Sequence, residues 1–183
     1  MRMGRLMAGL AMVTLLYGCA SPGIRWETEG ATEWVYKGDL RVVKVKDLGD
    51  IDFVTLTVYD SGAPDKVTCE STIKGRAFRS FADSIAGYLK NKMSTAVDGA
   101  KITTAAGEAF KQSVGRITEW PDFAAVAVKH ADGREGSKYA CGLMMGVPKD
   151  KFLAMLARNL KEAGLQQGAE DMATEMWNGL PDR

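Results

Sequence analysis

The spacing of apolar and polar positions changes several times along the chain. Over residues 33–46, Val35, Leu40, Val42, Val43 and Val45 supply β-branched bulk, and Lys44 and Lys46 alternate with valine, which predicts a strand. Leu48, Gly49 and Asp50 form a turn. Residues 51–59 put Val54, Leu56 and Val58 on one face and Thr55 and Thr57 on the other, a second strand. A turn at 60–65 leads to a third predicted strand at 67–73.

The period then lengthens. From 76 to 93, Phe78, Phe81, Ala82, Ile85, Leu89 and Met93 recur at steps of three and four, with Arg79, Asp83, Lys90 and Lys92 between them, the pattern of an amphipathic helix. Residues 94–99 break it, and a second helix is predicted over 103–114 from Ala106, Ala109, Phe110 and Val114. After a turn at 118–122, an Ala/Val-rich strand runs over 123–130. The stretch 131–136, with Asp132-Gly133 at its centre, reads as a hairpin loop, returning through a strand at 138–147. Pro148 suits the first turn of a helix. Phe152, Leu153, Leu156 and Leu160 give that helix its stripe, and Gly164 suits its left-handed cap. Residues 165–177 carry Leu165, Ala169, Met172, Met176 and Trp177 at helical spacing. Strands adjacent in sequence with short loops imply an α+β fold, an antiparallel sheet with amphipathic helices packed on one face.

The start of the chain follows another logic. Arg2 and Arg5 precede an apolar run over 6–16, followed by small residues, which is the layout of a secretory signal. The run is too short to cross about 30 Å of hydrocarbon. Leu16-Tyr17-Gly18-Cys19 resembles the lipobox of bacterial lipoproteins. That resemblance implies diacylglycerol on Cys19, cleavage just before it and acylation of the new amine. Two or more acyl chains anchor stably, at about 0.8 kcal/mol for each buried methylene. Ordinary cleavage after Ala20 is the competing reading. Ala20 and Ser21, with no Asp at either position, imply outer-membrane sorting on the same resemblance, so the expected location is the periplasmic side of an outer membrane or the cell surface. The expected organisation is a signal at 1–18, a lipidated tether at 19–31 with Trp26 as an interfacial or docking contact, and one domain over 32–183.

Charge and cysteine content narrow the function. Removing 18 of 183 residues leaves 165, and losing Arg2 and Arg5 takes Lys+Arg from 24 to 22 against 23 Asp+Glu. No stretch concentrates the cations, so no nucleic-acid partner is expected. With Cys19 acylated, Cys69 and Cys141 form an even pair in an oxidising compartment. A bridge between them would close a loop of about 70 residues and add roughly 4 kcal/mol; two separate buried thiols are the alternative. His130, the only histidine, could ligate a metal with Cys69 and Cys141. Without CxxC or HxxxH spacing the expectation is no metal and a solvent-facing side chain. Gly133, Gly136, Gly142 and Gly146 read as hairpin and strand glycines rather than a phosphate cradle, and no cofactor is expected. No G-x-S-x-G context supports a triad, so a non-catalytic protein is expected. Met144 and Met145 suit a buried strand. Met172, Met176 and Trp177 either close the core or dock on a protein partner or a second copy, since Trp is enriched at binding hot spots.

A wider resemblance rests on Glu33-Trp34-Val35 opening the first strand, the helix over 77–93, Val114-Gly115-Arg116-Ile117 before Trp120, and 146–152 (Gly-Val-Pro-Lys-Asp-Lys-Phe). In these the chain resembles the LPP20-like bacterial lipoproteins, a group that includes the lipoprotein of outer-membrane rings around some polar flagella. Thr32 stands where that family usually has proline, and the segment 47–73 is longer. The resemblance implies a role in envelope structure or in assembling a surface or motility structure, through a protein partner or homo-oligomer, with membrane attachment by the N-terminal lipid. A lipoprotein binding a small hydrophobic or glycan ligand, with the Met-rich strand and Trp120 lining its pocket, is the alternative.

Overall fold

The computed structural model describes residues 23–181. Cys19 and the signal at 1–18 lie outside the described residues. The elements are β1 (Arg25–Trp26), β2 (Arg41–Val45), β3 (Ile51–Ala63), α1 (Lys66–Asp98), α2 (Thr104–Val114), β4 (Val126–Glu135), β5 (Lys138–Pro148), α3 (Lys149–Glu162) and α4 (Ala169–Asn178). All strands pair antiparallel in one sheet of order β1-β4-β5-β3-β2. The helices cover one face of it, which makes the α+β architecture the pattern predicts. No helix among the described residues is long and apolar enough to cross a membrane.

The covered face is built from alternate strand residues. Val54 and Leu56 on β3 and Cys141, Leu143, Met145 and Val147 on β5 meet Phe81, Ile85 and Leu89 of α1, Phe110 of α2, Phe152 and Leu156 of α3 and Met176 of α4 in one core. Each large side chain buried there contributes about 1.5–3 kcal/mol. In α1 the buried positions Cys69, Ile73, Ala77, Phe81, Ile85, Leu89 and Met93 repeat every fourth residue. At 100° per residue the stripe drifts roughly 40° each step, so it winds round the helix. Its first half therefore lies on the sheet, and its second half turns toward α2 and the end of α4, where the Tyr88 hydroxyl donates to the Met176 carbonyl.

The opposite face is made of small residues under a strap. Gly142 and Gly146 of β5 and Ala131 and Gly133 of β4 point to this side, and the segment between β1 and β2 crosses it. Ala31, Trp34 and Val35 bury against Ala131 and Met144. A side chain at Gly142 would meet Val35 at 3.0 Å.

Three local expectations change. Residues 67–73 are helix, not strand. Asp65 caps α1, its Oδ1 accepting from the Thr68 backbone N–H at 2.8 Å, and Cys69 and Ile73 then continue the helical stripe. The strand expected over 33–46 shortens to β2, because Trp34 and Val35 leave the sheet to pack across its face. Asp132 and Gly133 are not the hairpin turn: they pair with Cys141 and Ala140. The turn is Gly136-Ser137, with Gly136 at φ +63°, as a two-residue hairpin opening on glycine requires. Gly133 is glycine for closeness, since a Cβ there would lie 2.9 Å from the Arg25 carbonyl and from the Trp26 ring. Arg25 and Trp26, in the stretch expected to be tether, pair with Arg134 and Gly133.

Candidate functional site

Side chains converge where the first turn of α1 meets the sheet. Cys69 and Cys141 are joined by a disulfide with Cα atoms 6.0 Å apart, both residues buried. Asp132, directly opposite Cys141, fastens three elements. Its Oδ2 accepts from Lys66 Nζ at 2.7 Å, its carbonyl accepts from the Glu27 N–H at 2.9 Å, and its N–H donates to Thr28 Oγ1 at 3.0 Å. The hydrogen bond from Lys66 to the Asp132 carboxylate, with their charge attraction, raises the lysine pKa. The Thr68 backbone N–H holds the Asp65 carboxyl below its ordinary value. His130 Nε2 stands 3.8 Å from Asp132 Oδ1, beyond hydrogen-bond reach.

The C-terminal residues offered as partner contacts are core. Met172, Met176 and Trp177 are 9%, 1% and 5% exposed, and the Trp177 ring meets Phe152 edge-on at 5.7 Å. A short helix has one apolar side, and here α3 and α1 consume it. Trp120 is buried as well. Its Nε1 donates to Ser113 Oγ at 2.9 Å, and Ser113 Oγ donates in turn to Oδ1 of Asn159 at 3.3 Å. Asn159 is buried, with its amide donating to the Met155 carbonyl. Nothing in the pattern singled out Asn159, which sits at an apolar-stripe position of α3. Met144 and Met145 are buried on opposite faces of the sheet.

Aromatic surface lies instead on the strap side. Trp26 Nε1 donates to the Tyr36 hydroxyl at 2.9 Å. The Tyr36 ring meets Tyr59 edge-on, centroids 5.3 Å apart. Tyr36 is 50% exposed and Tyr59 43%. Tyr59 lies across from Gly142 and Trp26 across from Gly133, so small residues beneath leave the rings standing proud of the sheet. On the other face of the same sheet edge, Arg134 lies over the Tyr139 ring and is bonded to Glu27. Of these residues only Trp26 carried a sequence signal; Tyr36 and Tyr59 fell within predicted strands with nothing to mark their side.

A second surface feature is a groove of about 650 Å³ between α3 and α4, floored by Leu153, Ala154, Ala157 and Ala173. Its rim is charged. Arg158 holds Asp122 and Glu162, bonds that raise the guanidinium pKa, and the ammonium of Lys161 holds the Glu170 carboxyl below its ordinary value.

In comparisons with known proteins, no family model, no curated protein and no solved structure matches this chain.

Proposed function

We propose that the chain is an exported, lipid-anchored envelope protein that acts by holding a protein partner, with self-association as its simplest form, rather than by catalysis. The observation that carries this is the Trp26–Tyr36–Tyr59 cluster, in which Tyr36 and Tyr59 are exposed and Trp26 is half-buried. Tyr and Trp present large, stiff, amphipathic area, the kind of surface from which contact hot spots are made. Export is supported by the buried Cys69–Cys141 bond, since such bridges persist in oxidising compartments, together with the signal-like start and lipobox at Cys19. The resemblance to LPP20-like lipoproteins supports the same class of role, at an outer membrane facing the periplasm.

Mild crosslinking of the full-length protein in its native membrane tests the reading. The expected result is a crosslinked complex that Tyr36→Ser with Tyr59→Ser abolishes while the thermal midpoint stays put. A strict monomer with no crosslinked protein sinks it. The α3–α4 groove favours the second reading, a lipoprotein for a small hydrophobic ligand. There, a co-purifying small molecule lost in Ala157→Trp is the discriminating result.

A further inference from the structure

Beside the disulfide stand His130, which the sequence offers as a ligand together with Cys69 and Cys141, and Asp132, which it does not. Asp132 sits directly across from Cys141, and His130 is opposite Leu143, one pair along on the same face. A ring nitrogen of His130, an Asp132 carboxylate oxygen and Cys141 Sγ lie within 4.8 Å of one another, and Cys69 Sγ is bonded to the last of them. Asp132 Oδ1 is itself shut off from solvent and has no hydrogen-bond partner. A buried carboxylate oxygen without a donor is costly and calls for an explanation.

We propose that the Cys69–Cys141 bridge closes a latent metal site: when it is reduced, Cys69, Cys141, His130 and Asp132 bind a divalent ion of the zinc class. Two thiolates, an imidazole and a carboxylate are a tetrahedral donor set for zinc. With bonds of about 2.0–2.3 Å, ligand atoms in such a site stand roughly 3.3–3.8 Å apart. His130, Asp132 and Cys141 therefore need to draw in by at most about 1 Å, and the two sulfurs to part. Lys66, bonded to Oδ2, orients the carboxylate so that Oδ1 faces the cluster, as outer partners of metal ligands do. Its charge also balances the site, because two thiolates and one carboxylate exceed a dication by one negative charge.

The exchange balances. A small dithiol gives two electrons and two protons to the bridge, leaving two protein thiols and becoming a cyclic disulfide. The thiols release two protons as the ion binds. Bridge and ion exclude each other, so the same four residues report redox state as metal affinity.

The test uses the full chain, reduced with a dithiol that is then removed under anaerobic conditions, and titrated with cobalt(II). The expected result is one ion per chain with a thiolate-to-cobalt charge-transfer band and tetrahedral d–d bands, both displaced by zinc. The oxidised chain shows neither band. His130→Ala and Asp132→Asn each weaken binding about tenfold or more while leaving the circular dichroism of the reduced chain unchanged. Three outcomes overturn the proposal: a reduced, folded chain that binds no cobalt; affinity unchanged in both variants; or a chain that unfolds on reduction, so that no site assembles.

Discussion

The two faces of the sheet are built by opposite rules. On the helix side, large side chains from every helix interlock with Val54, Leu56, Leu143 and Val147. On the strap side, Gly142, Gly146 and Gly133 keep the sheet low, and a few large residues from a non-helical segment lie across it. The first face buries most of its aromatics, Phe78 being the exception at 37% exposed, and the second displays Tyr36 and Tyr59 beside a half-buried Trp26. Stability concentrates on one side and the proposed contact surface lies on the other, so substitutions should separate the two.

The largest effect belongs to the helix side. Phe81 is fully buried between α1 and the sheet, and Phe81→Ala should cost about 3–5 kcal/mol in urea unfolding. Next comes the fit of strap to sheet. Val35 already stands 3.0 Å from the point that a Cβ on residue 142 would occupy. Gly142→Val should therefore cost about 1–3 kcal/mol and shift Trp34 emission to the red as the strap lifts. An unshifted spectrum would mean that strap and sheet are not in the close contact described.

A smaller effect joins α1 to α4. Tyr88→Phe loses the bond to the Met176 carbonyl, about 1 kcal/mol. Burial also pushes the Tyr88 phenol up to about 12 from 10.0. A folded pKa above the unfolded one means stability fully present below pH 10 and lost as pH rises toward 12. Tyr88→Phe should flatten that alkaline decline in a pH series of thermal midpoints. Smallest of all, Tyr36→Ser with Tyr59→Ser should move stability by no more than about 0.5 kcal/mol each while removing the crosslinked complex. A loss comparable to that of Phe81→Ala would place these rings in the core and erase the distinction between the faces.

The helix side was legible because each residue's role follows from period. Phe81, Ile85, Leu89 and Leu156 announce themselves at steps of three and four, and Val54 and Leu56 by alternation. The strap side was not, because its logic is register between distant segments. Gly133 looked like a turn residue beside Asp132, yet it is glycine for the sake of Trp26, and Tyr59 is exposed because Gly142 lies across from it. The first turn of α1 was misread for a related reason: Val67 and Ile73 favour strands, and the Asp65 cap that overrides them acts through one backbone hydrogen bond. Met172, Met176 and Trp177 gave a correct period but no sign of what covered them. The pairing of Cys69 with Cys141 was open in the sequence, since only the fold brings the first turn of α1 onto the middle of β5.

An exported, anchored contact protein is tested most directly by native mass spectrometry of full-length protein drawn from membranes in mild detergent. The expected species is a chain beginning at Cys19 with lipid mass on that residue, Cys69 and Cys141 oxidised, in a complex containing more than one protein chain. An unacylated chain, or an acylated one that is strictly monomeric, would contradict it.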